Sequence, residues 1–228
     1  MTTRVAPARP AGPGKSWYPA FLDVEGRRVL VVGGGPVATD KTATLVEHGA
    51  RVRLVSPLLT DALAAMVADG TVHEHRARRY EPGDIEGCFL AISATGDAAV
   101  DRGVWEDAER RGIPINVPGA PPLCSFLVPS TLRRGGLAIA VSTGGASPVV
   151  ARRVRRDLEA LYGPEWEEFL ALLHDLRDEM KARYPEAGDR RGAVERLMDT
   201  DVLARLAGRD ADGARALVRA ALGAEETA

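Results

Sequence analysis

The sequence predicts an α/β protein: a doubly wound parallel sheet, followed by a small β/α segment and a helical C-terminal domain. Short valine-rich runs alternate with helical stretches over the first half of the chain, a spacing typical of parallel strands joined by helical crossovers. A turn of three glycines follows the first of these runs. From residue 164 onward the pattern is nearly all helical.

The predicted strands of the sheet are short apolar runs bounded by glycine, proline or polar residues. They cover residues 28–32, 51–56, 71–75, 89–94 and 113–117. Amphipathic stretches between them predict helices over residues 37–48, from 60 or 61 to 69, and 98–111. Gly49 and Gly70 are placed as helix stops.

The pattern changes after Pro118. Residues 126–128 and 137–141 are predicted strands, joined by a turn at Arg134-Gly135-Gly136. Arg133 and Arg134 are assigned to this hairpin turn. Ser147 is a predicted N-cap and Pro148 a predicted first residue of a helix that ends near residue 161. The remaining helical stretch is predicted to break near residues 185–189 and 208–213.

Composition excludes several classes of partner. Thirty basic and thirty-two acidic residues give a net charge of −2, which predicts neither nucleic-acid nor membrane binding. The first sixteen residues lack the apolar core of a signal peptide and are predicted to be a disordered tail. No apolar run is long enough to span a bilayer, so we expect a cytoplasmic protein.

Metal binding is not predicted. Cys88 and Cys124 lie far apart in the sequence, which excludes a site of paired thiolates and makes a disulfide improbable without an export signal. His73 and His75 alternate on one predicted strand face, so a two-ligand site is one interpretation. We favour the other interpretation, an edge strand with exposed imidazoles.

The glycine turn carries the strongest chemical signal. Gly33-Gly34-Gly35-Pro36-Val37-Ala38 matches G-x-G-x-x-[G/A] between a predicted strand and a predicted helix. The first glycine permits a tight turn, the second lets a pyrophosphate approach the backbone, and the small third residue lets the helix pack on the strand. The pattern predicts a Rossmann-type dinucleotide-binding domain. The alternative is a tight turn without a ligand.

One expected part of that site is missing. The second strand of an NAD-binding fold usually ends in an acidic residue that binds the ribose hydroxyls. Here the strand ends at Ser56-Pro57, so no acid repels a 2′-phosphate. Arg51 and Arg53 lie within the strand and are not evident phosphate ligands. The residues alone therefore give NAD only a slight preference over NADP.

Several further motifs, in order and over roughly residues 18–160, give the chain a family resemblance. It resembles the precorrin-2 dehydrogenase/sirohydrochlorin ferrochelatase family, the N-terminal module of siroheme synthase, in its standalone form. The residues that carry the resemblance are Tyr18-Pro19-Ala20-Phe21-Leu22, Val31 to Ala38 with Lys41, Gly49-Ala50, Val55-Ser56-Pro57, Ala94-Thr95, Asn116-Val117, Ser125 to Ser130, and Ser142 to Pro148 with Ala151-Arg152.

The resemblance implies NAD-dependent oxidation of precorrin-2 to sirohydrochlorin, with iron insertion in some members, by a homodimer. Composition and pattern give the tail over residues 1–16 and the helical domain over 163–228. The resemblance implies an NAD-binding domain over 17–125 and a dimerisation segment over 126–162. Family contacts to the cofactor correspond to Pro36, Val37, Pro57 and Leu58. The full set of expected NAD-binding residues is Gly33, Gly34, Gly35, Pro36, Val37, Ser56, Pro57, Leu58, Ala94 and Thr95.

The chain departs from the family at the residue expected to act as acid and base. Members commonly carry an aspartate two residues after the Asn-Val pair, where this chain has Gly119. Glycine cannot move a proton, so the catalytic residue stays unassigned. Asp97, at the end of a predicted strand, is a candidate replacement, although a helix N-cap is the favoured role for it. We expect dehydrogenase activity with weak or absent ferrochelatase activity.

The expected substrate is a polycarboxylate, which needs N–H donors and cations. The hydroxyl- and glycine-rich loop that leads into the predicted helix at Pro148 suits a carboxylate. Simple helix capping is the alternative for this loop. The expected substrate-binding residues are Asn116, Ser142, Thr143, Gly144, Gly145 and Ser147.

Two other functions compete with the dehydrogenase. A non-catalytic tetrapyrrole- or dinucleotide-binding member of the family is one, and Gly119 favours it. A ligand-sensing Rossmann domain of a transport regulator is the other. The stretches 125–130 and 142–148 argue against a sensor, because such a domain has no need of them.

Overall fold

The computed structural model describes residues 15–222. The chain forms two compact units, Met1–Val128 and Pro129–Ala228. Residues 1–14 of the predicted tail lie outside the described residues, whereas Lys15 donates hydrogen bonds to the carbonyls of Pro122 and Cys124 at 3.1 and 2.9 Å. The second unit contains residues 129–162 of the predicted dimerisation segment together with the predicted helical domain, residues 163–228.

The first unit is built on a five-stranded parallel sheet, which confirms the predicted fold class. Its strands have the order β3-β2-β1-β4-β5. They are β1 (Arg28–Val32), β2 (Arg51–Val55), β3 (Glu74–Arg76), β4 (Leu90–Ser93) and β5 (Ile115–Asn116). The helices of this unit are α1 (Pro36–Glu47), α2 (Asp61–Ala68) and α3 (Ala98–Arg111), with a short 3-10 helix over Pro121–Leu123.

Helices cover both faces of the sheet because successive strand side chains point to opposite sides. On one face, Val29 and Val31 belong to a buried cluster with Ala38 of α1 and Leu63 of α2. On the other face, the alternate strand residues Leu30 and Val32 pack in a cluster with Val104 and Ala108 of α3. Two apolar layers of this kind make the sheet doubly wound.

The strand order places a crevice at one edge of the sheet. From β1 the chain moves outward to β2 and β3, and it then returns to β4 on the other side of β1. The connections after β1 and β4 therefore diverge at the carboxyl ends of these strands. Ligands of open α/β sheets bind at such a topological switch point.

The second unit begins with an antiparallel hairpin of β6 (Ser130–Arg134) and β7 (Leu137–Val141). The helix over residues 148–161 packs against this hairpin, whereas the helices from residue 165 onward pack around a core that includes Phe169, Leu197, Val202 and Val218. The helices of the second unit are α4 (Pro148–Leu161), α5 (Glu165–Asp175), α6 (Arg177–Arg183), α7 (Ala187–Met198), α8 (Val202–Ala207) and α9 (Ala211–Leu222). Within the described residues, no helix is long and apolar enough to cross a bilayer.

Two sequence predictions are wrong in this region. Residues 126–128 form no strand, because the main chain there is fixed by other contacts: the Asn116 side-chain amide donates to the Phe126 carbonyl at 3.1 Å. The hairpin strand begins only after Pro129, which lacks an N–H for a strand ladder. Arg133 and Arg134 lie at the end of β6 and not in the turn, which Gly135 and Gly136 form.

Candidate functional site

A crevice of about 420 Å³ lies at the carboxyl edge of the first unit's sheet. It brings together the glycine turn after β1, the segment after β2 and the segment after β4. Its lining includes seven of the predicted cofactor residues and Asp97: Gly33, Gly34, Gly35, Ser56, Pro57, Leu58, Thr95 and Asp97. Pro36 and Val37 follow as the first residues of α1, and Ala94 follows β4.

Only glycine suits the first position of the turn, because of its backbone conformation and because neighbouring main chain lies close to it. Gly33 has a φ of +118°, a conformation that side-chain-bearing residues rarely adopt. A Cβ at this position would lie 2.3 Å from the carbonyl oxygen of Ala94. The Gly33 N–H donates to the Val55 carbonyl at 3.0 Å. Gly33 therefore lets the turn after β1 pack between the ends of β2 and β4.

Gly35 differs from the other two glycines of the turn because the space where its side chain would begin is open. Its φ is −84°, and a Cβ added there would meet no described protein atom within 4 Å. Open space on that side of the backbone is what an approaching pyrophosphate needs. The sequence interpretation of the second motif glycine agrees with this geometry.

The amino terminus of α1 is suited to an anion. Its N-cap, Gly35, makes no side-chain capping hydrogen bond, and the first turn contains no acidic residue. By contrast, side chains of Thr60, Asp97 and Ser147 cap α2, α3 and α4. An uncapped helix start offers N–H groups and partial positive charge. The turn and the helix together fit the pyrophosphate of a dinucleotide.

The segment after β2 closes one side of the crevice. Ser56 is 6% exposed, and its hydroxyl donates to the Leu58 carbonyl at 2.6 Å. The imidazole Nε2 of His75 lies 3.1 Å from the Ser56 carbonyl oxygen. Ser56 therefore shapes the turn and brings no negative charge to the crevice.

Arg79 and Tyr80 are among the crevice residues that the sequence analysis missed. Both follow β3, the edge strand beside β2, whose position only the sheet order reveals. The predicted strand at 71–75 begins three residues before β3 and ends one residue before its end, since β3 spans Glu74–Arg76. The sequence contained an indication of this cationic part of the crevice, because the basic run Arg78-Arg79 lies soon after that weak strand.

Hydrogen bonds order the segment after β4. The buried Asp101 carboxylate accepts from the hydroxyls of Ser93 and Thr95 at 2.6 and 2.7 Å. Asp97 accepts from the N–H groups of Ala99 and Val100 at 2.9 and 3.3 Å. Asp97 thus has the N-cap role that the sequence favoured, while it also lines the crevice. Sequence reasoning missed Asp101.

A second network fixes the chain between β3 and β4. The Asp84 side chain, 2% exposed, accepts hydrogen bonds from Arg78 at 2.7 and 2.8 Å and pairs with Arg76. The Arg53 guanidinium, inside β2, donates to the Asp84 carbonyl and to the Glu74 carboxylate, both at 2.7 Å. Burial opposes ionisation of Asp84, but its hydrogen bonds from Arg78, the Glu81 N–H and Arg76 lower its pKa to about 2.

The two histidines considered as ligands make ordinary contacts. His73 pairs with Arg51, and His75 contacts the main chain as described above. Across residues 15–222, no group of three or more His, Cys, Asp or Glu side chains is placed to hold a metal ion.

Gly119, the position of the family's aspartate, has a φ of +87°. A Cβ there would meet no described atom within 4 Å. Asn116 is buried, and its amide contacts Cys124 as well as the Phe126 carbonyl. Asn116 therefore holds the chain that follows the short 3-10 helix.

The loop of residues 142–147 lies in the second unit and is held by its own hydroxyls. Thr143 Oγ1 accepts from the Ser147 N–H at 3.0 Å and donates to the Ser147 carbonyl at 3.1 Å. Ser142 Oγ accepts from the Gly144 N–H at 3.2 Å, and Ser147 Oγ accepts from Val150 N–H at 3.3 Å. Helix capping, the alternative role for this loop, accounts for Ser147.

Family models match almost the whole described chain. The model described as "Putative NAD(P)-binding" matches residues 20–130. "Sirohaem biosynthesis protein central" matches residues 134–161, and "Sirohaem synthase dimerisation region" matches residues 165–222. The region named for dimerisation thus coincides with α5 to α9, whereas the sequence analysis placed a dimerisation segment at residues 126–162.

Curated relatives agree with these models. A siroheme synthase of Pseudomonas entomophila is 39% identical over 202 residues, covering 88% of this chain and 43% of the relative. A siroheme synthase of Methylobacillus flagellatus is 41% identical over 173 residues, covering 76% of this chain and 37% of the relative. The chain therefore spans less than half the length of these relatives.

A solved structure has the same fold. The chain described as "SirC, precorrin-2 dehydrogenase" superposes with a TM-score of 0.73 at 24% sequence identity, covering 90% of this chain and 98% of that chain. With the crevice, three consecutive family models and the curated relatives, the resemblance found in the sequence is confirmed. The chain belongs to the siroheme synthase family, in the part of it that carries the NAD(P)-binding, central and dimerisation regions.

Proposed function

We propose that this chain is an NAD-dependent precorrin-2 dehydrogenase that forms sirohydrochlorin, with weak or absent ferrochelatase activity. The open side of Gly35, at the uncapped start of α1, is the observation that carries the proposal. The names of the relatives and of the matching structure supply the substrate class.

Each wall of the crevice has a role in this proposal. Gly33 to Gly35 and the first N–H groups of α1 hold the pyrophosphate. Ser56 to Leu58 hold the adenosine half, and the segment around Thr95, fixed by Asp101, borders the nicotinamide half. A bound nicotinamide dinucleotide supplies the acceptor for the hydride that leaves the macrocycle.

The oxidation also releases a proton, and the chain lacks the family's carboxylate at Gly119. In our proposal water takes this proton during the dehydrogenase step. Metal insertion makes a larger demand, because pyrrole protons must leave while the metal enters an ordered site. The loss at Gly119 therefore weakens metal insertion more than hydride transfer.

For the substrate we retain two separate proposed contacts, Asn116 in the first unit and the loop of residues 142–147 in the second unit. The hydroxyls of Thr143 and Ser147 and the N–H groups of Gly144, Ala146 and Ser147 already bond within that loop. Its proposed donor to a carboxylate is therefore the Gly145 N–H. Gly144 and Gly145 have φ values of +65° and +91°, which allow the tight path of such a loop.

We also propose that the protein is a homodimer. Three apolar side chains of α4, Val150, Val154 and Leu161, are 51%, 40% and 71% exposed and lie on one side of the helix. An apolar helix face of this kind is typical of a protein–protein contact. The family model named for dimerisation adds α5 to α9 as further candidates.

The direct test is an anaerobic assay of the full chain with precorrin-2 and NAD, followed by NADH absorbance, beside a separate assay with sirohydrochlorin and ferrous iron. We expect NADH formation and little iron insertion. Robust iron insertion without NADH formation would overturn the order of activities that we propose. Binding of NAD without any turnover would favour the alternative function, a non-catalytic tetrapyrrole- or dinucleotide-binding protein, for which Gly119 is the supporting observation.

A further inference from the structure

We propose that the crevice also accepts a 2′-phosphorylated dinucleotide, and that Arg79 is the residue that binds its 2′-phosphate. The inference deepens the proposed function and rests on its dinucleotide site alone. It does not depend on the identity of the substrate.

The first argument is the absence of a repelling charge. The residue after β2 is the one that meets the adenosine ribose in this kind of fold, and an acid there selects against a 2′-phosphate. Here that residue is Ser56, whose hydroxyl is bound to the Leu58 carbonyl. Asp97 is the one acidic residue among those that line the crevice within residues 15–222.

Asp97 is also on the wrong side to repel this phosphate. It follows β4, whereas Ser56 follows β2, and β1 with its glycine turn lies between the two strands. A dinucleotide with its pyrophosphate at the glycine turn places only one of its halves beside Asp97. The ribose end beside Ser56 is therefore free of lining carboxylates in the part of the chain that the structure describes.

The second argument is the presence of a cation at that end. Arg79 lines the same crevice as Ser56 to Leu58. The two segments leave the sheet side by side, because β3 pairs with β2 and the Ser56 N–H donates to the Arg76 carbonyl at 3.1 Å. Arg79 is exposed, and no ion pair joins it to a carboxylate of residues 15–222.

The charge of Arg79 is not neutralised by a carboxylate of residues 15–222, unlike the charges of the two arginines before it. Arg76 and Arg78 both pair with Asp84, so their charges are already compensated. Arg79 contributes only its carbonyl to this network, as acceptor from the Arg78 guanidinium at 2.9 Å. Of these three cations, Arg79 is the one available to a ligand.

Both neighbours of Arg79 are anchored, so its backbone is held in place. Arg78 binds the Asp84 carboxylate, and the Tyr80 hydroxyl donates to the buried Asp107 carboxylate at 2.5 Å. A ligand therefore has only to order the side chain of Arg79. Guanidinium binds phosphate through two parallel hydrogen bonds, which suits a terminal 2′-phosphate.

The test is calorimetric titration of the full chain with NAD and, separately, with NADP, in the absence of any tetrapyrrole. We expect both to bind, with the Kd for NADP within about tenfold of the Kd for NAD. Arg79→Ala should raise the ratio of the NADP Kd to the NAD Kd about tenfold, and Arg79→Glu about a hundredfold, because a charge-assisted phosphate contact is lost or reversed. Arg102→Ala, an exposed arginine of α3 outside the crevice lining, is the matched control and should leave the ratio unchanged.

The outcomes separate this inference from the proposed function. Binding of NAD with no detectable binding of NADP overturns the inference and leaves the proposed function intact. Binding of neither dinucleotide overturns both. An equal NADP-to-NAD ratio in wild type, Arg79→Ala and Arg79→Glu would show that another group holds the 2′-phosphate, and this too overturns the assignment. Thermal unfolding of each variant, expected to match wild type because Arg79 is exposed, checks that the fold is kept.

Discussion

Gly34 packs directly against the main chain of Leu58: a Cβ on Gly34 would lie only 1.8 Å from the Leu58 carbonyl oxygen. The Gly34 carbonyl in turn accepts a hydrogen bond from the Thr60 N–H at 2.9 Å. The turn after β1 and the segment after β2 therefore form one continuous wall of the crevice. Gly35, the next residue, faces open space instead. Gly34 is therefore needed for the packing of the turn, whereas Gly35 leaves room for a ligand.

This difference predicts that one alanine substitution mainly lowers stability and the other mainly weakens NAD binding. Gly34→Ala should lower the free energy of unfolding by about 2 kcal/mol or more, because the added methyl group clashes with the Leu58 main chain, which can move only with strain. Gly35→Ala should cost about 1 kcal/mol or less, yet weaken NAD binding at least about tenfold by filling the space left for the pyrophosphate. Urea unfolding and calorimetry measure the two effects. Unchanged NAD affinity in Gly35→Ala would contradict the proposed position of the pyrophosphate.

The Gly119 position offers a test of the missing carboxylate. Gly119→Asp should fit sterically, but its left-handed backbone should cost about 1 kcal/mol in the free energy of unfolding. We expect the variant to gain iron insertion into sirohydrochlorin. Gly119→Asn is the matched control, because it has the same shape and backbone cost without an acid. Equal gains in both variants would show that the carboxylate is not the limiting group.

Stability should depend on pH through Asp84. Its pKa of about 2 in the folded protein lies below the ordinary value of 3.8, so its contribution is present above about pH 4 and is lost as pH falls toward 2. Asp84→Asn should cost about 1–2 kcal/mol at neutral pH, since the partner arginines are partly solvated. The difference between wild type and variant should shrink across this acid range.

Denaturant unfolding at several pH values measures that difference. Asp40→Asn, which removes an exposed carboxylate of α1, is the control and should change the free energy of unfolding only slightly at neutral pH. A difference between wild type and Asp84→Asn that is constant from neutral pH to about pH 2 would contradict the lowered pKa.

The exposed face of α4 predicts the effect of charges on assembly. Val150→Glu combined with Val154→Glu should shift the protein from dimer to monomer, because two carboxylates would be desolvated in an apolar contact. Light scattering after gel filtration measures the change. Arg156→Glu, on another side of the same helix, is the control and should remain dimeric. A dimer that persists in the double variant would place the interface elsewhere, with α5 to α9 as the next candidates.

The local sequence pattern was sufficient to predict a large part of the secondary structure. The bounds of β1, α3 and α4 agree with the sequence predictions, because each has strong punctuation: glycines around β1, Asp97 before α3, and Ser147-Pro148 at α4. The same local logic identified the glycine turn, whose strand, turn and helix are contiguous in sequence. The strand prediction at residues 126–128 was wrong, because Phe126 and Leu127 are apolar in order to pack against the two core clusters and not to form a strand.

The sequence by itself determined the doubly wound class, the dinucleotide turn and the family, since these depend on residues close together in the chain or on motifs in a fixed order. Only the tertiary structure decided which side chains share the crevice and which are already engaged. Arg79 lines the same crevice as Ser56 because an edge strand pairs with β2, and Asp101 accepts from the Thr95 hydroxyl across the turn before α3. Such contacts depend on sheet order and hydrogen-bond geometry, which no local pattern of residues specifies.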